Sequence, residues 1–106
     1  MQGRLILPLM AAALLGTPAW AVEGNAEAAK QKISMCAGCH GIPGYRTTFP
    51  DVYHVPKLGG QHAAYIVKAL EEYKNGDRSH PTMRSIAAGL SEQDMADVAA
   101  YYSSVK

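Results

Sequence analysis

Apolar residues recur every three or four positions in two segments of the 106-residue chain, and this spacing predicts two amphipathic helices. The first is predicted from His62 to Asn75, and Gly76 is a natural stop because glycine readily takes the left-handed conformation that ends a helix. The second is predicted from Ser91 to about Ser104, since Ser91 and Asp94 have the spacing of a capping box. The predicted buried faces are Ile66, Ala69, Leu70 and Tyr73 in the first helix and Met95, Val98, Tyr101, Tyr102 and Val105 in the second.

Outside these two segments, the pattern predicts one more helix and two irregular stretches. Residues Asn25 to about Met35 are rich in Ala, Lys, Glu and Gln, and Asn25 is a suitable N-cap, so a helix is predicted here. Between Gly41 and Gly60, seven glycines and prolines predict a loop of about 20 residues, longer than compact domains usually have without a function or a ligand. A short turn-rich piece with Met83, closed by Gly89, precedes the last helix. The whole pattern predicts an all-α domain of short helices and long loops, without strands.

Residues 1–21 have the pattern of a secretory signal peptide. Arg4 precedes an apolar run, and Ala19-Trp20-Ala21 is an A-x-A cleavage signature. The alternative is a retained membrane anchor, but the run is interrupted by Pro and Gly and is shorter than the ~20 apolar residues of a spanning helix. We therefore predict cleavage after Ala21, export to the periplasm, and a domain at residues 22–106 without stable membrane insertion.

Removal of the predicted signal peptide makes the chain formally neutral. Residues 22–106 number 85, with nine Lys and Arg against nine Asp and Glu. A neutral chain without a basic stripe has no electrostatic footprint for nucleic acid, so no nucleic-acid partner is expected. The apolar core of an 85-residue chain is marginal on its own, and a covalently bound cofactor would help to stabilise the fold.

Both cysteines of the chain lie in the segment Cys36-Ala37-Gly38-Cys39-His40. A C-x-x-C pair serves as a redox-active disulfide, as half of a zinc site, or, when His follows, as an attachment site for haem c. A thioredoxin-type pair begins a helix in a βαβ unit, and the sequence pattern predicts no such unit. A zinc site would need two more ligands. Haem attachment is favoured because it uses all three reactive residues: Cys36 and Cys39 form thioethers one helical turn apart, and His40 is the proximal iron ligand.

The sixth iron ligand separates an electron carrier from a haem enzyme or a gas sensor. Met83 is the preferred candidate because it is 43 residues beyond His40, far enough for the chain to reach the opposite haem face. His80 is the distal alternative. Met95 falls on the apolar face of the last helix, where core packing is the expected role, and Met35 adjoins Cys36 on the proximal side.

Several motifs together resemble those of a known family. In chain order they are Cys36-Ala37-Gly38-Cys39-His40-Gly41, Val55-Pro56-Lys57-Leu58-Gly59-Gly60-Gln61, Tyr65, Tyr73-Lys74-Asn75-Gly76-Asp77-Arg78, Met83-Arg84-Ser85-Ile86-Ala87, Leu90-Ser91 and Ala99-Ala100-Tyr101-Tyr102. This set resembles the class I c-type cytochromes, most closely a monohaem, single-domain relative of cytochrome c4. The resemblance implies that the Pro56 carbonyl accepts a hydrogen bond from His40, that Leu58 packs on the haem, and that the first and last helices cross.

The function expected from this resemblance is periplasmic electron transfer by one His/Met-ligated haem c, not catalysis. The expected partners are a redox-protein donor and acceptor. One departure is that a cytochrome c4 has two haem domains, whereas these 106 residues contain one C-x-x-C-H motif. A homodimer is therefore also considered, as are a haem subunit of a larger dehydrogenase and a haem enzyme or sensor with an open sixth position.

Overall fold

The computed structural model describes residues 22–49 and 52–105. The predicted signal peptide, residues 1–21, lies outside the described residues. Within them the chain forms five α-helices and one two-stranded antiparallel sheet. The elements are α1 (Ala26–Ala29), α2 (Ser34–His40), β1 (Arg46–Thr47), β2 (Tyr53–His54), α3 (Ala63–Asn75), α4 (Pro81–Ala88) and α5 (Glu92–Ser104). None of the described helices has the length and apolarity needed to cross a bilayer.

The two helices with the clearest apolar periodicity form as predicted. Helix α3 ends at Gly76, whose φ of 90° lies in the left-handed region that favours glycine. Helix α5 begins at a complete capping box, in which the Ser91 hydroxyl accepts from the Asp94 backbone N–H and the Asp94 carboxylate accepts from the Ser91 backbone N–H. The predicted C-terminal end of α3 and the predicted N-terminal start of α5 are both confirmed.

The apolar core lies between α3 and α5. Six side chains form its buried cluster, namely Ile66, Leu70, Met95, Val98, Ala99 and Tyr102. Tyr101 and Val105, also predicted as buried, are only partly buried at its edge. Met95 is 2% exposed, so the predicted packing role of this methionine is confirmed.

The prediction of one continuous helix from Asn25 to Met35 was wrong. Asn25 does cap a helix, with its side chain accepting from two backbone N–H groups, but α1 ends after four residues and α2 begins at Ser34. Because α1 packs against α5 while α2 points its cysteines into a cavity, the chain must change direction between them. Tertiary contacts thus override the helix propensity of Gln31 and Lys32.

Two further predictions of irregular structure were also wrong in part. The segment Gly41–Gly60 contains the hairpin β1–β2, in which Arg46 pairs with His54 and Thr47 with Tyr53. Strands of two residues leave no periodic signal, which is why the sequence predicted a loop. The piece around Met83 is helical, since α4 spans Pro81–Ala88.

The N-terminal segment is held against α5 by close packing and by a charged network. A Cβ on Gly24 would lie 2.0 Å from the Ala96 carbonyl oxygen, so this approach requires glycine. Asp97, 2% exposed, accepts from the Asn25 backbone N–H at 2.8 Å, from Gln93 at 2.8 Å and from the Lys32 ammonium at 2.6 Å. The aspartate therefore joins α1, the α1–α2 turn and α5.

This network predicts a specific acid sensitivity. The Lys32 ammonium lowers the pKa of Asp97 and, together with the Ser91 N–H, lowers the pKa of Asp94 to about 2 from an ordinary 3.8. Both folded-state pKa values lie below the unfolded ones, so the stabilisation is fully present above about pH 4 and is lost as the pH falls towards 2. Thermal melts followed by circular dichroism from pH 7 to pH 2 should show this loss.

Substitution of Asp97 isolates the contribution of this residue to the acid sensitivity. Asp97→Asn should lower the melting temperature at pH 7 and flatten its decline between pH 4 and pH 2. Glu71→Gln is the matched control, because Glu71 is exposed on α3 and no hydrogen bond or ion pair of its side chain is found among the described residues. If both variants follow the wild-type pH profile, Asp97 does not contribute to acid sensitivity.

Candidate functional site

A cavity of about 360 Å³ lies between α2, the hairpin, α3 and α4. This volume is within the range of roughly 300–1,000 Å³ typical of small-molecule sites. Its wall is largely apolar and aliphatic or aromatic, and it contains Lys57 and Arg78 but no Asp or Glu among the described residues. All six residues proposed for the site from the sequence line this one cavity: Cys36, Cys39, His40, Pro56, Leu58 and Met83.

Helix α2 presents the two cysteines. Cys36 and Cys39 are one helical turn apart, so both side chains face the cavity, and neither is in a disulfide. Cys36 packs against the apolar core, and this burial raises the pKa of its thiol. Two free thiols thus lie side by side on the cavity wall, where each could form a thioether with a ligand that fills the cavity.

His40 ends α2 and is oriented by the loop that follows the hairpin. Its Nδ1 lies 2.6 Å from the Pro56 carbonyl oxygen. Because a carbonyl can only accept, Nδ1 carries the proton and donates, which leaves the other ring nitrogen, Nε2, with a free lone pair. A backbone carbonyl in this position fixes the tautomer and the ring orientation of a metal-binding histidine.

Met83 reaches the cavity from the first turn of α4. Pro81 occupies the first helical turn, and the His80 side chain caps the helix by accepting from the Met83 backbone N–H at 3.3 Å. The Met83 side chain is partly buried against the core and lines the cavity. Of the other two methionines of the described residues, Met35 lies at the rim and is 60% exposed, whereas Met95 lies in the core.

Sequence reasoning did not predict the ring and hydrogen-bond contacts within one group of cavity-lining side chains. Tyr53 and Tyr73 each make an edge contact with the ring of His80, and the Arg78 guanidinium lies near the rings of both Tyr65 and Tyr73. These residues come from the hairpin, from α3 and from the α3–α4 connection. Tyr73 fell on the predicted apolar face of its helix, but no local signal pairs any of these residues with another.

The alternative interpretation of the two cysteines, a zinc site, would require further metal ligands beside them. Across residues 22–49 and 52–105, no group of three or more His, Cys, Asp or Glu side chains is arranged to hold a metal ion.

Comparison with known proteins assigns the family. Residues 26–106 match the family model described as cytochrome c. The chain belongs to the cytochrome c family. The resemblance and the all-α fold class predicted from the sequence are therefore confirmed.

Relatives within the family differ in length. The chain is 40% identical over 84 residues to cytochrome c-554(548) of Halomonas halodenitrificans, covering 76% of this chain and 96% of that protein. It is 39% identical over 83 residues to cytochrome c4 of Pseudomonas aeruginosa, covering 78% of this chain but only 39% of that protein. The crystal structure of cytochrome c4 from Pseudomonas stutzeri superposes with a TM-score of 0.62 at 37% identity, covering 78% of this chain and 46% of the other. The chain thus spans less than half the length of these cytochromes c4.

Family membership accounts for the chemistry of the cavity. A cytochrome c domain carries covalently attached haem c, and Cys36 and Cys39 supply the two thiols of its attachment motif. The largely apolar cavity with both thiols on its wall fits such a group. The chain is therefore a c-type cytochrome, and membership of this family supports a role in electron transfer.

Proposed function

We propose that this protein is an exported, periplasmic one-electron carrier whose haem c iron is ligated by His40 and Met83. The observation that carries the proposal is that one cavity collects Cys36, Cys39 and His40 from α2 and Met83 from α4. When bound, haem c supplies reversible one-electron chemistry, and the protein supplies the ligands and the surroundings.

Each proposed ligand has a distinct task. The Pro56 carbonyl holds Nδ1 of His40, so Nε2 is the ring nitrogen that would bind the iron. The Met83 thioether is a soft ligand that stabilises ferrous iron and raises the reduction potential. With both positions filled, no site stays open for dioxygen or peroxide, which favours a carrier over an enzyme or a sensor.

The cavity wall protects this centre from water. Leu58 lines the wall and packs against the buried cluster, and the aliphatic residues of α3 continue the apolar surface. A low-dielectric environment disfavours the extra positive charge of ferric iron and adds to the effect of the sulfur ligand. We assign Pro56 to orientation of the proximal histidine and Leu58 to packing against the porphyrin.

Export is the second part of the proposal. Haem attachment to the two thiols, the A-x-A signature at Ala19–Ala21 and the apolar run before it all fit a protein matured outside the cytoplasm. We expect the periplasmic fraction to contain a mature chain that begins at Val22, with the mass of residues 22–106 plus one haem. Intact-protein mass spectrometry checks this, and the uncleaved chain in the membrane fraction would contradict it.

The ligand assignment is tested by optical spectroscopy of the purified protein. Ferric protein should show the weak near-infrared band of sulfur-to-iron charge transfer, and ferrous protein should resist carbon monoxide, because Met83 occupies the sixth position. Rapid carbon monoxide binding by the wild type would favour an enzyme or a sensor instead. The donor and the acceptor are redox proteins that this spectrum does not identify, and copurification with a large subunit would indicate a dehydrogenase complex.

A further inference from the structure

We infer that Arg78 is a positioning residue that holds the α3–α4 connection, and with it the Met83 ligand, against the cavity. The inference rests on the proposed ligation by Met83 and adds to it the residue that keeps the sulfur in place. Arg78 lies five residues before Met83 and lines the same cavity.

The contacts of Arg78 tie the start of the connection to α3. One of its terminal guanidinium nitrogens, Nη2, donates to the Tyr65 hydroxyl at 3.1 Å. The guanidinium carbon lies 5.2 Å from the ring centre of Tyr73 and 5.8 Å from that of Tyr65, within the range of cation–π contacts. Its Nε is 3.9 Å from a Glu72 carboxylate oxygen, and its backbone N–H donates to the Glu72 carbonyl. Arg78 therefore contacts three side chains of one helix.

From Arg78 the contacts continue to the backbone of Met83. Tyr73, which Arg78 covers, also meets the His80 ring, with a centroid distance of 6.4 Å. The His80 ring also contacts Tyr53 of the hairpin, with a centroid distance of 4.8 Å, and its Nδ1 accepts from the Met83 N–H. The beginning of α4 is thus fixed from α3 and from the hairpin. Without Arg78, the connection would keep its left-handed turn at Gly76 but lose its anchorage to Tyr65.

Arginine is suited to this position for a geometric reason. Its planar guanidinium can donate to a hydroxyl while lying near two aromatic rings, whereas a lysine ammonium has neither the plane nor the fork. The positive charge also matches the Glu72 carboxylate, which lies 3.9 Å from Nε. The contacts of Arg78 thus favour a defined position of α4 rather than general surface solvation.

Displacement of the methionine by imidazole tests the inference. Added imidazole competes with Met83 for ferric iron, so its apparent affinity reports how firmly the sulfur is held. We expect Arg78→Gln to bind imidazole on the order of tenfold more tightly than wild type, since one hydrogen bond and a cation–π contact are lost. The loss of the near-infrared band monitors the titration, and Arg78→Lys should fall between Arg78→Gln and wild type.

Arg84→Gln is the matched control. Arg84 is an exposed arginine of α4 near the same connection, and among the described residues no hydrogen bond, ion pair or ring contact is found for its side chain. Its imidazole affinity should equal that of wild type. Guanidinium unfolding followed by circular dichroism separates positioning from general stability, since a merely structural Arg78 would lower the unfolding midpoint without changing imidazole affinity.

The possible results distinguish the proposed ligation by Met83 from the proposed positioning role of Arg78. If wild-type ferric protein lacks the near-infrared band, Met83 ligation fails and the role of Arg78 fails with it. If the band is present but Arg78→Gln binds imidazole with wild-type affinity, or Arg84→Gln shows the same gain, the positioning role alone is overturned. A Tyr65→Phe variant should reproduce part of the Arg78→Gln effect and add little to it in the double variant.

Discussion

Met83→Ala should convert the protein from a closed electron carrier into a haem protein with an open coordination position. The ferric near-infrared band should disappear while the haem stays attached through Cys36 and Cys39. The reduction potential should fall substantially, because a water or histidine ligand is harder than a thioether and favours ferric iron. Ferrous Met83→Ala should bind carbon monoxide readily, whereas the wild type should resist it. Optical spectra, a redox titration and carbon monoxide binding measure these three effects.

Met95→Ala is the control that removes a methionine from the same chain without touching the cavity. Met95 is 2% exposed in the core between α3 and α5, so its truncation should cost about 2–5 kcal/mol of stability and leave the near-infrared band in place. An unchanged spectrum in Met83→Ala would rule out ligation by its sulfur. Because His80 also lines the cavity, a bis-histidine haem would then be the next assignment to examine.

The elements that sequence reasoning predicted correctly are those with local signals. Helix α5 has its capping box within four residues, and α3 has a glycine stop directly after its last turn. Helix α4 was missed because its N-cap is a histidine, which is not among the usual capping residues, and because its eight residues are fewer than the roughly 11–18 over which apolar periodicity is assessed. The break between α1 and α2 was missed because it is imposed by packing on α5, which no local pattern shows.

The same distinction, between local sequence signals and contacts imposed by the fold, applies to the candidate site. The C-x-x-C-H motif could be identified directly, since three reactive residues within five positions are a local pattern. The approach of His40 to the Pro56 carbonyl spans 16 residues and was expected only from the family resemblance. Arg78 belonged to one of the family motifs, but its contact with Tyr65 was not predicted, because this contact depends on where the left-handed turn at Gly76 directs the chain. Long-range polar contacts of this kind follow from the fold and not from spacing.

Replacement of both cysteines should have the largest effect on the molecule as a whole. In Cys36→Ala/Cys39→Ala no thioether can form, so acid-acetone extraction should remove all colour from the protein, whereas the wild type should stay coloured. Without attached haem, the apolar walls contributed by α2, α3 and α4 would face a water-accessible cavity. The remaining buried cluster has only six apolar side chains among the described residues, which is little for the 81 residues, 26–106, that match the family model. We therefore expect the double variant to lose most of its helical circular dichroism signal.

The single variants give the graded comparison for this prediction. Cys36→Ala and Cys39→Ala each keep one thiol, so each should retain colour after extraction but in lower yield than wild type. Ser34→Ala, an exposed change on the same helix α2, should behave as wild type in both assays. A double variant that keeps full helical signal without haem would show that the polypeptide folds alone, and the cavity would then be a preformed site. Loss of structure would instead show that haem attachment and folding are one process, because the haem fills the space that the core leaves open.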